Sequence, residues 1–533
     1  MKRCFAPIVL CLLAGLCILA VPSHYVKRVD AVCSTCPPPP PPPPTVGQFG
    51  GPLAGLSTTI TNLFNGGYGT FVIKWDPVRG LGPVSTKTGC FTCHGAGVDV
   101  LTGTAGDTSN TTGTRYGKWN KDNTFNYLDG TGTSPENEGG PIVHGISNAT
   151  FGTLPGCNQA SIASSGATES GTTVTITTKA AHGFKAGQEV QVLGVGVSGY
   201  NGQFPIASIP STTTFTYTAN SSGLKSSGGG TAQNLPHEVV PSDATVVSTV
   251  RSPQLFGLGL IDNIPDSDIL ANAAASKKYG ITGVANMIDD ENGVSRPGKF
   301  GQKLDTVTLF QFTANAEFNE LGITTSNSLF GVSGEFNPTE HNPQGLAFPS
   351  ACQSDKNSPQ DVKQVNMIKM TQFEALLAPI PPQPPTSSTT AGETVFQNIG
   401  CNVCHIESYT TQQNVTLPTT NGSKTAVIPS LSNVTFTPYS DFLLHDMGSG
   451  DSGGIPFQPH GTGQATLTMW RTAPLWGLSN ILTKAGGLMH DNGSATIDKA
   501  IRRHGGEAAT VVSNYEALDK TDSSNLLAFL GSL

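Results

Sequence analysis

Charge is scarce in this chain of 533 residues: only 12% are Asp, Glu, Lys or Arg, and the formal net charge is −8. No basic cluster of the size that grips a phosphate backbone occurs, which excludes a nucleic-acid partner. Long apolar runs are missing apart from one near the N-terminus, which excludes a polytopic membrane protein. Aromatic residues are few at 7%, yet 37% hydrophobic residues suffice for packed cores and argue against wholesale disorder. Gly (63) and Pro (38) make up about a fifth of the chain, as in a loop-rich globular protein. The length exceeds one compact core and implies several domains.

Lys2 and Arg3 precede an apolar run from Phe5 to Val21, the layout of a secretory signal, with a retained membrane anchor as the alternative. We assign residues 1–23 to the signal and expect export to the periplasm or cell surface. Cys33, Cys36 and eight prolines from Pro37 to Pro44 form a Cys/Pro-rich linker over 24–48, stiffened as polyproline II. An exported setting permits disulfides, and Cys157 with Cys352 is a candidate pair.

Two pentapeptides carry the chemistry. Cys90-Phe91-Thr92-Cys93-His94 and Cys401-Asn402-Val403-Cys404-His405 both read C-x-x-C-H. In this motif two thiols add to the haem vinyl groups and the adjacent His binds the iron. Zinc is the alternative, but such zinc sites pair C-x-x-C with a second ligand pair nearby. Here about 310 residues separate the motifs and each has its own His. The reading is two haem c groups, attached at Cys90, Cys93, Cys401 and Cys404, with His94 and His405 on the irons.

Val395 and Phe396 precede the second motif on a helical stretch, and Leu526, Leu527, Phe529 and Leu530 form an amphipathic closing helix with Thr521 as the expected N-cap. Helix, motif, loop and closing helix is the order of a small cytochrome c domain. Alternating Thr- and Val-rich runs with Gly-containing turns mark a β-rich module at 157–229. The expected fold is mainly α: two cytochrome c-like haem domains, with a small β-rich domain inserted in the first. The first haem domain takes 49–156 and 230–378, the second 379–533. Helices are expected at Ser252–Ala275 and Asp361–Leu377.

The sixth ligands separate a catalyst from a carrier, since an open iron binds an oxidant and a doubly ligated one passes electrons. Ser494 is read as the N-cap of a helix whose Ile497, Ala500, Ile501 and His504 share one face, making His504 the candidate for the second haem. The alternative for His504 is a cation at a helix C-terminus. His445 and His490 are weaker candidates. For the first haem, the next histidine is His144; either it ligates, or the site is open, or a carboxylate such as Glu136 or Glu138 lies over it.

Several further stretches resemble the di-haem oxidoreductase family, which is related to bacterial di-haem cytochrome c peroxidases. They are Met469-Trp470-Arg471-Thr472-Ala473-Pro474-Leu475-Trp476, Leu488-Met489-His490-Asp491, His504-Gly505-Gly506-Glu507 and Ser252-Pro253-Gln254-Leu255-Phe256-Gly257. The resemblance implies an axial ligand fourteen residues after a His, which carries that role onto His504. It also implies calcium held by the backbone carbonyls of Thr472 and Pro474. Where the family reads His-Asp-Gly-Arg, this chain has His490-Asp491-Asn492-Gly493, so the task of that Arg is not carried over. The leading expectation is an exported di-haem oxidoreductase that reduces hydrogen peroxide at the first haem. A small redox protein or a quinol-linked donor would supply its electrons. The competing class is a non-enzymatic electron-transfer cytochrome, and thiol oxidation is a third.

Overall fold

The computed structural model describes residues 45–46, 50–94 (except 78 and 83), 112–121, 125–126, 143–144, 146–147, 157–234, 238, 240–323, 364–448 and 468–533 (except 486). The expected signal and linker, Glu136, Glu138 and Cys352 lie outside them. All described residues belong to one compact unit running from Pro40 to Leu533.

The fold is not mainly α: about 32% of the described residues are helical and 22% are strand. Helices in both halves are short. A seven-stranded antiparallel sheet occupies residues 159–233, and a three-stranded sheet and four two-stranded ladders add more strand. The helices are α1 (Thr58–Phe71), α2 (Cys90–His94), α3 (Leu258–Asp262), α4 (Asp266–Ala274), α5 (Leu309–Leu321), α6 (Gln364–Leu376), α7 (Ser387–Ile399), α8 (Leu478–Ala485), α9 (Ile497–Arg503), α10 (Ala509–Glu516) and α11 (Lys520–Leu530). The helix expected over Ser252–Ala275 is two, α3 and α4, broken around Ile264-Pro265 because proline has no N–H to continue the ladder. The N-cap of α9 is Thr496, not Ser494, and that of α11 is Asp519, not Thr521; each true cap accepts backbone N–H groups of the first turn.

The seven-stranded sheet has a core of its own, with Ile162, Ile176, Val192, Tyr200, Phe215 and Tyr217 fully buried. Its two ends are fastened together. Asn158 N–H donates to the Asn234 side chain (2.7 Å), Asn234 N–H donates to the Asn158 carbonyl (3.2 Å), and Gln159 pairs with Gln233 in the ladder. Cys157, at the same point, is fully buried and disulfide-bonded.

The remainder is a duplicated structure. α1 packs on α6 and α7 on α11, each pair crossing at a glycine four residues before a phenylalanine. A Cβ on Gly67 would stand 2.1 Å from the Lys369 carbonyl, and one on Gly392 would stand 1.9 Å from that of Asn525. Only glycine permits backbones so close. The phenylalanines then meet an aromatic on the closing helix, Phe71 with Phe373 (4.9 Å between centroids) and Phe396 with Phe529 (5.4 Å). Burial of each ring is worth about 1.5–3 kcal/mol.

A second repeat is Arg251-Ser252-Pro253-Gln254-Leu255-Phe256-Gly257-Leu258 against Arg471-Thr472-Ala473-Pro474-Leu475-Trp476-Gly477-Leu478. Gly257 (φ 72°) and Gly477 (φ 68°) both take the left-handed conformation where α3 and α8 begin. A Cβ on Gly257 would meet the Trp476 ring at 2.6 Å, and one on Gly477 would meet Phe256 at 2.9 Å. These reciprocal contacts are those of an isologous pair. The largest core spans them, joining Phe64, Phe256, Leu376 and Phe373 to Tyr409, Leu431, Phe442 and Trp476. A third repeat is the pair of turns closed by Phe300 with Thr306 and by Leu488 with Ser494, each followed two residues later by a capping threonine, Thr308 or Thr496.

Gly392→Ala should destabilise the protein by about 1–3 kcal/mol through overpacking, outweighing the ~1 kcal/mol helix preference for alanine. Denaturant unfolding of the holoprotein reads this; an unchanged or raised midpoint would mean that α7 and α11 do not meet at this residue.

Candidate redox site

The second motif opens on a cleft of about 210 Å³. Phe396 from α7, Leu478 and Ile481 from α8, Ile497 and Ile501 from α9 and Tyr515 from α10 make its wall apolar. Cys401, Cys404 and His405 form one side.

Two imidazoles turn the same way. His405 Nδ1–H donates to the Tyr439 carbonyl (2.9 Å), and His504 Nδ1–H donates to the Ala500 carbonyl (2.7 Å). In each, the backbone bond fixes the tautomer and keeps the lone pair on Nε2, the arrangement of a metal-binding histidine. Burial pulls His405 down to about 4. His504 is the C-cap of α9, one residue past the helix, and lines the cleft.

His445 and His490 are differently engaged. His445 Nε2 faces Asp441 (2.9 Å) and Nδ1 faces Glu507 (2.9 Å), while Lys277 Nζ reaches Asp441 (2.6 Å). Although burial opposes the charged form, the Asp441 and Glu507 carboxylates hold His445 protonated, up to about 11, and Glu507 falls to about 2. Cys404, Asp441 and His445 are the one group of three metal-capable side chains among the described residues. The Asp441 and His445 donors are spent on this ion-pair chain. His490 lies flat against Trp470 (3.6 Å, 11°), whose other face carries the Lys303 ammonium (3.5 Å). Thr472 and Pro474 line the cleft, and the Thr472 carbonyl accepts from the Ser440 hydroxyl (2.6 Å).

The first motif is helical, α2, and packs below α1, with His94 6.4 Å from Phe71 where His405 stands 6.3 Å from Phe396. Burial lowers His94 to about 4; the Pro253 backbone is its nearest acceptor, but no well-formed hydrogen bond reaches Nδ1. His144 is wholly buried away from open space: Nδ1 meets Glu238 (2.5 Å) and Nε2 meets the Asn319 carbonyl (2.6 Å). Both ring nitrogens are therefore used within the protein.

Beside Cys90 stands a feature that motif reading missed. Glu317 on α5 is 1% exposed and neither of its carboxylate oxygens has a partner. Burial and the neighbouring Glu374 push its pKa well up; burial also raises Glu374, on α6, to about 7 although Thr313 Oγ–H donates to it. Both charges act on Cys90. The available signal was a carboxylate on an otherwise apolar helical face, Phe310, Ala314 and Leu321 at 3–4-residue spacing.

Burial pushes the Cys93 and Cys401 thiols up to about 12. Thiol–disulfide exchange needs a thiol pKa near ambient pH, so Cys93 and Cys401 are poor exchangers.

Two thiol pairs, each with an adjacent imidazole, and an apolar cleft at the second of them fit haem and define a redox protein of two like halves. A family model described as "Di-haem oxidoreductase, putative peroxidase" matches residues 227–533, more than half of the chain, and the chain belongs to that family. Membership implies haem cofactors. No curated protein matches the chain. Among solved structures it is similar to the Kuenenia stuttgartiensis hydrazine synthase pressurised with 20 bar xenon, at 16% identity over 32% of this chain. The chain spans 55% of that structure's chain, and a TM-score of 0.19 carries no argument about fold or activity.

The His445 ion-pair chain sets a pH dependence. Its folded pKa, about 11, lies above the unfolded 6.5, so its stabilisation is complete below pH 6.5 and is lost as pH rises toward 11. The stability gap between wild type and His445→Gln should therefore be widest in mild acid and close at high pH. A gap that widens with pH in thermal unfolding would refute the assignment.

Proposed function

We propose that this protein is an exported di-haem c-type oxidoreductase that reduces hydrogen peroxide at its first haem with electrons passed through its second. Cys90 and Cys93, and Cys401 and Cys404, are the thioether positions; His94 and His405 are the proximal ligands; His504 is the sixth ligand of the second haem. A disulfide at Cys157 supports an oxidising compartment, periplasm or cell surface. A small redox protein or a quinol-linked donor fits as electron source. Calcium at Thr472 and Pro474 stays an implication of the family resemblance.

The observation that carries this reading is the asymmetry of the two halves. Counted from the capping threonines, Thr308 and Thr496, the position of His504 corresponds to Ala316, and the next residue is Glu317. One half thus offers a second imidazole and the other a buried carboxylate. An iron with a free position can bind an oxidant, and each haem supplies one-electron chemistry when bound. Peroxide reduction to two waters takes two electrons and two protons. Glu317 takes the proton from the oxygen that binds and returns it to the oxygen that leaves. Glu374 keeps Glu317 basic enough to accept, and the apolar walls of Phe310 and Met370 exclude water.

Glu317→Gln should cut peroxide turnover by about 10²–10⁴-fold while both haems remain attached; full turnover would remove Glu317 from the reaction. His504→Ala should turn the second haem high-spin in low-temperature EPR, and an unchanged low-spin signal would sink that ligand. Two low-spin signals in the wild type, untouched by peroxide in ferric and half-reduced states, would make the protein an electron carrier.

A further inference from the structure

Arg251 ends the strand Val246–Arg251 in the first half, yet its side chain lines the second cleft. Its backbone is pinned there, the N–H donating to the His490 carbonyl (2.7 Å) and the carbonyl accepting from Gln302 (3.3 Å). Nε and Nη1 are buried with no partner. Among the described residues no carboxylate pairs with Arg251. Glu507, the acid on the cleft wall, is committed to His445, Thr282 and Gly283. Arg471, the counterpart of Arg251 in the repeat, adds a second guanidinium close by. Burial and that repulsion lower Arg251 to about 10, which still leaves it charged at neutral pH.

A buried cation without an anion costs several kcal/mol. Two cations side by side, at the rim of an apolar cleft that begins at a thiol pair, mark the end where a ligand brings carboxylates. Guanidinium is suited to this, since its planar donors bind a carboxylate in bidentate fashion. We infer that Arg251 and Arg471 hold the carboxylate edge of the group bound in the second cleft, the haem propionates, with Arg251 reaching across from the first half as a positioning residue. The second haem is then clamped by both halves. The inference rests on the second cleft being a haem site, as proposed above.

The test is a redox titration of holoprotein carrying Arg251→Gln, with haem counted as pyridine haemochrome. Loss of a positive charge beside the propionates favours the ferric state. The midpoint potential of the second haem should fall and become pH-dependent near neutrality as a propionate takes up a proton on reduction; the first haem should hold its potential. Unchanged potential and pH profile, with two haems present, overturn the inference alone. A wild type without haem at the second motif overturns the underlying site reading instead. If Arg251→Gln does not accumulate, Arg251→Lys keeps the charge but not the fork. Its propionate bending band in resonance Raman should shift, and an unmoved band refutes the contact.

Discussion

The contact between Phe256 and Trp476 is the constraint on which the rest depends. Each ring sits over the glycine that follows its counterpart, and each glycine takes a left-handed turn that starts a helix. Any side chain at Gly257 or Gly477 would push the halves apart. Because the contact is reciprocal, it brings the two Arg-containing strands together and sets one half's strand end into the other half's cleft. Apolar burial supplies the energy here, while the twofold repetition supplies the geometry.

Within that symmetric frame the two sites diverge electrostatically. The second is bordered by fixed, mutually satisfied charges, Lys277, Asp441, His445 and Glu507, two of which sit far from their ordinary pKa values because each stabilises the next. The first is bordered by Glu317 and Glu374, whose pKa values burial raises, Glu374 to about 7. One half locks its charges into ion pairs and the other buries two carboxyl groups, and the difference begins a single residue after the position that corresponds to His504.

The two C-x-x-C-H pentapeptides were legible as patterns, because they need only adjacent residues. So was the β-rich character of residues 157–229, from strict alternation such as Thr173–Thr178. The overall class was misjudged, because two- and three-residue ladders such as Leu444–Asp446 leave no period to detect. Cap positions slipped by two residues wherever several Ser, Thr or Asp competed. The repeat at Arg251 and Arg471 was present in the letters and overlooked. Glu317 was legible only as a carboxylate on an apolar helical face, since its meaning depends on Glu374 and Cys90 arriving from two other elements.

The fastening of Asn158 to Asn234 bears on how such a chain changes over time. A module whose first and last residues touch presents its host with the same two attachment points whatever lies between them. Seven strands can therefore be lengthened, exchanged or recoloured in surface chemistry while the redox halves register no difference.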